Sequence, residues 1–191
     1  MKVPWIVAGV AVIALVILLV VTLSGRRPGS ASDGTTASLA NSPAGTPPDI
    51  SNMTPRERFD RLYTRIMSAA QTGDQATVTQ FMPMAQMAYT QLDTVDADAR
   101  YHLALLGLHN GDTTAVGALA DTILQQNPGH LFAYMIRGTK ARFAKDPVAL
   151  KRAYGEFLEH YGAEMSAARQ EYTEHKKSIE DFHQAALKPQ S

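Results

Sequence analysis

Residues 97 to 130 read ADARYHLALLGLHNGDTTAVGALADTILQQNPGH, and the triplet Asn110-Gly111-Asp112 inside them decides how the chain is organised. It separates two stretches whose apolar residues recur at helical spacing, Leu103 and Ala104 before it and Val116, Ala120 and Ile123 after it. The same punctuation stands at Thr72-Gly73-Asp74. It returns in weaker form at Ala144-Lys145-Asp146, where Pro147 follows at a helix start. The aspartates at 74, 112 and 146 are therefore 38 and 34 residues apart, the period of a helix–turn–helix repeat.

The first helix opens on Thr54-Pro55-Arg56-Glu57, a capping box with proline at the first helical position, and carries Phe59, Leu62, Ile66 and Ala69 along one face. In the next helix, FMPMAQMAY (81–89) holds three methionines. Thioether sulfur binds soft metal ions, but it also fills cores and faces partners. At about 100° per residue Val78, Phe81, Met82, Ala85, Tyr89 and Leu92 share a face, while Met84 and Met87 point away. Met82 thus joins the other two only if Pro83 breaks the helix. Met82 is read as core, and Met84 with Met87 as an apolar contact surface that should be less buried than Met82.

Residues 97–130 resemble a tetratricopeptide repeat. Leu103 and Ala104 match the packed pair of its first helix, Gly107 the small-residue position, Gly111-Asp112 the turn, Val116, Ala120 and Ile123 the second-helix core, and Pro128 the closing proline. Residues 131–162 are a looser copy through Ala133, Tyr134, Gly138, Ala141, Leu150, Tyr154, Phe157 and Leu158, with Tyr161-Gly162 in place of the proline; 59–96 are looser still. The resemblance implies an all-α α-solenoid domain of about seven helices that holds protein partners. It also implies that the first helix of each pair lines a groove, which makes Arg100, His102, His109 and Arg137 groove residues.

Val3 to Leu23 carries no charge and as a helix spans about 31 Å, the thickness of a bilayer core. Pro4 suits a first turn and Trp5 a water–lipid boundary. The run is longer than a signal-peptide apolar core, and Ser24 lacks a good cleavage pattern, so residues 1–25 read as an uncleaved transmembrane anchor. Lys2 on one side and Arg26 with Arg27 on the other leave sidedness balanced; the long domain after a two-residue tail is the layout of a signal anchor with an extracytoplasmic, periplasmic domain. Residues 26–51, rich in Gly, Ser, Thr and Pro, read as a flexible tether. Helix pairs are expected over 52–162 and one long capping helix and tail over 163–191. Met165, Ala168, Tyr172, His175, Ile179, Phe182 and Ala186 form its apolar stripe.

The chain has 191 residues, 18 basic and 18 acidic, and no cysteine. Disulfides, cysteine zinc sites and thiol nucleophiles are thereby excluded, and the balanced charge gives no reason to expect nucleic acid. There is no phosphate-binding glycine loop, no nucleophile elbow and no zinc-protease motif, so neither an enzyme, a small-molecule substrate nor a cofactor is expected. Among the six histidines, His102 and His109 lie two turns apart, too far for one ion. Glu171 with His175 and Glu180 with His183 have carboxylate–histidine spacings, but only one is a Glu-x-x-His motif and His175 sits on the apolar stripe, so both read as structural. Arg137, Lys140, Arg142, Lys145, Lys151 and Arg152 make a local positive excess suited to an acidic partner or lipid headgroups, or to a solvated face.

The expectation is a non-enzymatic membrane-anchored scaffold, an accessory or assembly subunit of a photosynthetic or respiratory type of membrane complex. Its partner-binding residues are Met84, Met87, Arg100, His102, His109, Arg137 and Lys140, and its anchor is marked by Val3, Trp5 and Leu23. The alternatives are a free periplasmic assembly factor resembling the tetratricopeptide proteins of cytochrome c maturation, and a Met/His metal-handling protein.

Overall fold

The structure, a computed structural model, describes residues 53–188, so the expected anchor, with Val3, Trp5 and Leu23, and the expected tether lie outside the described residues. Within them the chain is all-helical. The helices are α1 (Pro55–Thr72), α2 (Gln75–Thr90), α3 (Ala97–His109), α4 (Thr113–Gln126), α5 (Leu131–Ala144), α6 (Pro147–Ser166), α7 (Gln170–Glu174) and α8 (Lys176–Leu187). No helix among them is long and apolar enough to cross a membrane.

One device closes and opens the helices at each glycine–aspartate position. The residue before the aspartate adopts a left-handed conformation, with φ of 76° at Gly73, 76° at Gly111 and 53° at Lys145. The aspartate N–H then reaches back to a carbonyl of the finished helix: Asp74 to Ala69 at 2.9 Å, Asp112 to Gly107 at 3.0 Å and Asp146 to Ala141 at 2.9 Å. Its carboxylate accepts from the first turn of the next helix, at Thr77, Ala115 and Ala149. A single residue type thus satisfies orphan groups of two helices, which is why the motif recurs. Thr54 and Glu57 form the expected reciprocal cap, and Asp96 caps α3.

These turns fold α1–α2, α3–α4 and α5–α6 into three successive helix pairs, and the first helices also pack on one another, α1 on α3 and α3 on α5. The core has two parts. Phe59, Leu62 and Ile66 of α1 meet Val78, Phe81, Met82 and Ala85 of α2, together with Ala99 and Leu106 of α3. Tyr101, Ala104 and Leu108 of α3 turn instead to α4–α8, where Phe132, Ile136, Phe157 and Phe182 are buried. Helix α3 is therefore apolar on opposite sides and belongs to both cores. Close approach depends on small residues: a Cβ on Gly107 would lie 2.8 Å from Val116 Cγ2, and one on Gly138 2.5 Å from Phe182 Cζ.

Pro83 lies inside α2 without ending it, so Met82 stays on the core face at 6% exposure while Met87 is 62% exposed. Met84 is half-buried against the α1–α2 core.

The C-terminal segment differs from the single long helix expected over 163–187. Helix α6 runs on to Ser166, Ala168 turns left-handed at φ 49°, and the chain resumes as the short α7 and then α8. Polar contacts fix the bend. Arg169 Nε and the Tyr172 hydroxyl donate to Glu164 Oε2 at 2.8 and 2.7 Å, while the same hydroxyl accepts from Leu131 N–H at 2.9 Å. The stripe survives as two faces: Tyr172 on α7 and Ile179, Phe182 and Ala186 on α8 are buried, but Ala168 is exposed. Helix α8 covers α5 and α6. The extra break gives eight described helices where about seven were expected.

Candidate functional site

The bend carries His175 back to α3. His175, the residue before α8, enters edge-on between Tyr101 and Phe132, with ring centroids 5.3 and 5.1 Å away. There it meets two α3 residues one turn apart, Asp98 and His102, both buried. His175 Nε2 lies 2.7 Å from Asp98 Oδ1 and 3.2 Å from His102 Nε2, and the His102 nitrogen is 3.6 Å from Asp98 Oδ1. Three donor atoms from two distant parts of the chain so converge on one point.

The surroundings hold these side chains in place. Tyr63 of α1 stacks on His102 with centroids 3.8 Å apart and planes 14° from parallel. Asp60 Oδ1 stands 3.6 Å from His102 Nδ1. Arg56 donates to Asp60 and Asp96, each at 2.7 Å, and to Asp98 Oδ2. Burial works against the Arg56 charge, but its hydrogen bonds and attraction to Asp60 and Asp96 raise its pKa further. Burial likewise opposes ionisation of Asp98. The hydrogen bond with His175, the nearby His102 and the guanidinium of Arg56 outweigh it and hold the carboxyl below its ordinary value.

A second polar group buttresses the bend. His130, fully buried, accepts the Phe132 N–H at Nδ1 (3.3 Å), which places its own proton on Nε2, 3.3 Å from Glu171 Oε1.

The expected contact residues separate. His102 faces inward rather than lining a groove, because Tyr63 and the α3–His175 contact enclose it. Arg100 is half-buried and donates to Val95 O at 2.5 Å. Arg137 is engaged by Asp121 at 2.8 Å and Glu156 at 3.2 Å. Lys140 is half-buried and extends over Gly117. His109 is half-buried, with its ring 6.4 Å from that of Phe143, and burial lowers its pKa. Only Met87 of this set is largely in solvent. Two further apolar side chains stand in solvent: Phe143 at 40% and Val148 at 71% exposure flank the α5–α6 turn. Arg142, Lys145, Lys151 and Arg152 are exposed around them, and none is ion-paired among the described residues.

The sequence spacing did not join His102 to His175, since 73 residues separate them. The usable signal was a histidine set on the apolar stripe of the tail, where a core residue belongs.

Comparison with known protein families, with characterised proteins and with solved structures finds no match for this chain.

Proposed function

We propose that this chain is a non-enzymatic, membrane-anchored interaction scaffold, an accessory or assembly subunit of a membrane protein complex, built of tetratricopeptide-like helix pairs. Three consecutive helix pairs, first helix packed on first helix, support the repeat reading. So do the turns at Asp112 and Asp146, whose N–H groups reach back to the carbonyls of Gly107 and Ala141, residues 34 positions apart. The anchor rests on the apolar run Val3–Leu23 alone.

The observation that carries the reading is the exposure of Phe143 and Val148 on either side of the α5–α6 turn, with the exposed cations Arg142, Lys145, Lys151 and Arg152 close to them in sequence. Exposed apolar groups amid one sign of charge suit a protein surface that offers apolar anchors rimmed by carboxylates. The contact set therefore moves from the first-helix groove to this turn, with Met87 as a separate exposed apolar point.

Purification of the full chain in mild detergent through a tag at Ser191 tests it. The expected result is a partner in fixed stoichiometry that is lost from Phe143→Asp/Val148→Asp and retained by Met82→Leu. A monomer with no co-purifying protein overturns the subunit reading, and a partner that appears only with newly made client favours the assembly-factor alternative.

A further inference from the structure

We propose that Asp98, His102 and His175 form a binding site for one divalent first-row metal ion, zinc by its donor set, which clamps the C-terminal helices onto α3. The side chains offer two imidazole nitrogens and one carboxylate oxygen, all within 4.8 Å of one another. Two histidines and a carboxylate are a known zinc ligand set with a fourth position left to water.

The geometry suits an ion closely. The triangle of donor atoms has sides of 3.2, 2.7 and 3.6 Å, so a point equidistant from the three lies about 1.9 Å from each in their plane. Zinc bonds of about 2.0–2.1 Å then place the ion just out of that plane, as on the open face of a tetrahedron. His175 Nε2 stands within hydrogen-bond distance of both His102 Nε2 and Asp98 Oδ1, and a single proton on it satisfies one of the two contacts only. A metal ion satisfies both lone pairs and the carboxylate together.

The next layer of groups supports the same assignment. His102 Nδ1 and Asp60 Oδ1 are buried, without a hydrogen-bond partner, and face each other at 3.6 Å. A proton on Nδ1 directed at Asp60 leaves Nε2 bare and turned toward Asp98 and His175, the carboxylate–histidine–metal arrangement. Charge points the same way. Asp60, Asp96 and Asp98 surround the single guanidinium of Arg56, a formal charge of −2 with both imidazoles neutral. One divalent cation brings the nest to neutrality.

The consequence is a staple between Asp98 and His102 on α3 and His175 at the head of α8. Binding joins segments 73 residues apart and stabilises the closed C-terminal bend, because the unfolded chain does not present the three donors together. Met84 and Met87 take no part, and the site is independent of the Phe143–Val148 edge.

The test is metal content and spectroscopy on the full chain in detergent, stripped with chelator, loaded with zinc or cobalt(II) and desalted. The wild type is expected to retain about one ion per chain, to show the visible bands of low-coordinate cobalt(II), and to melt at a higher temperature with zinc than with chelator. His175→Gln and His102→Gln are expected to lose the ion while keeping helical circular dichroism, and His109→Gln and His183→Gln to keep it. A folded wild type that holds no more zinc than His175→Gln and gives no cobalt bands overturns the proposal. So does equal loss from the His109 or His183 variants, which would mark adventitious binding.

Discussion

The Nε2 atoms of His102 and His175 face each other at 3.2 Å although 73 residues separate them, and Asp98 Oδ1 lies 2.7 Å from the second. This contact closes the tail against the three helix pairs. Asp98 is its charged hinge, because its other oxygen is held by Arg56 of α1. Asp98→Ala leaves a part-buried guanidinium and two enclosed imidazoles without their shared carboxylate. Loss of one partner from a buried charged group typically costs about 3 kcal/mol. The expected outcome is a loss of that order in urea unfolding, with a smaller loss for Asp98→Asn, which keeps one acceptor oxygen.

At Gly138 of α5 the Phe182 ring of α8 packs directly against the backbone. An added Cβ would meet Phe182 Cζ at 2.5 Å, and that ring is confined by Tyr154 and Phe157 at centroid distances of 5.0 and 4.8 Å. Alanine improves helix propensity by about 1 kcal/mol, and overpacking a confined ring costs about 1–3 kcal/mol. Gly138→Ala is therefore expected to destabilise by about 1 kcal/mol. In a Phe182→Leu background, which removes the ring, the same change becomes neutral or stabilising. Chemical unfolding of the four proteins reads the coupling; additive effects would refute the clash.

How much of this was legible beforehand follows from the range of the interactions involved. Caps and turns are local, so Thr54, Asp74, Asp112 and Asp146 could be placed from neighbouring residues, and the periodic faces of α1 and α2 from spacing alone. Met82 and Met87 separate as helix angles require. The bend after Ser166 was not legible. No glycine or proline marks it; it rests on Glu164 meeting Arg169 and Tyr172, and on Tyr172 meeting Leu131, a contact across 41 residues. The burial of His102 is not legible for the same reason: its neighbours Tyr63 and His175 come from α1 and from the C-terminal bend. Arg137 looked available until Asp121 and Glu156 arrived from α4 and α6.

Acid should loosen the bend before the rest of the fold. Burial lowers the pKa of His130, and Arg169 adds to this, against the raising effects of Glu171 and Glu164. Burial raises that of Glu164, but hydrogen bonds from Arg169 and Tyr172 outweigh it, so its net shift is also downward. Both groups therefore bind protons more readily in the unfolded chain. Their contribution to stability is complete above the ordinary imidazole value of about 6.5. The histidine part declines as pH falls below that value and the glutamate part below about 4.5. Protonating His130 also forfeits the bond from Phe132 N–H to Nδ1. Urea unfolding between pH 7.5 and 5 should show falling stability, less steep in His130→Gln; an unchanged slope in that variant would remove His130 from the account.

Lys145 occupies the position that glycine takes at the two other aspartate turns, with φ of 53° against 76° at Gly73 and Gly111. An L-residue in left-handed backbone costs about 1 kcal/mol or more, and glycine relieves it while adding freedom to the unfolded chain. Lys145→Gly is expected to stabilise the fold by about 0.5 kcal/mol in thermal or urea unfolding. The strained lysine is nonetheless one of the exposed cations beside Phe143 and Val148. If that edge meets a carboxylate-rimmed partner, the same substitution weakens the complex while strengthening the chain. The co-purified assembly from Lys145→Gly should then come apart at lower salt than the wild type. A variant that is more stable and binds with unchanged salt tolerance would place the partner elsewhere on the molecule.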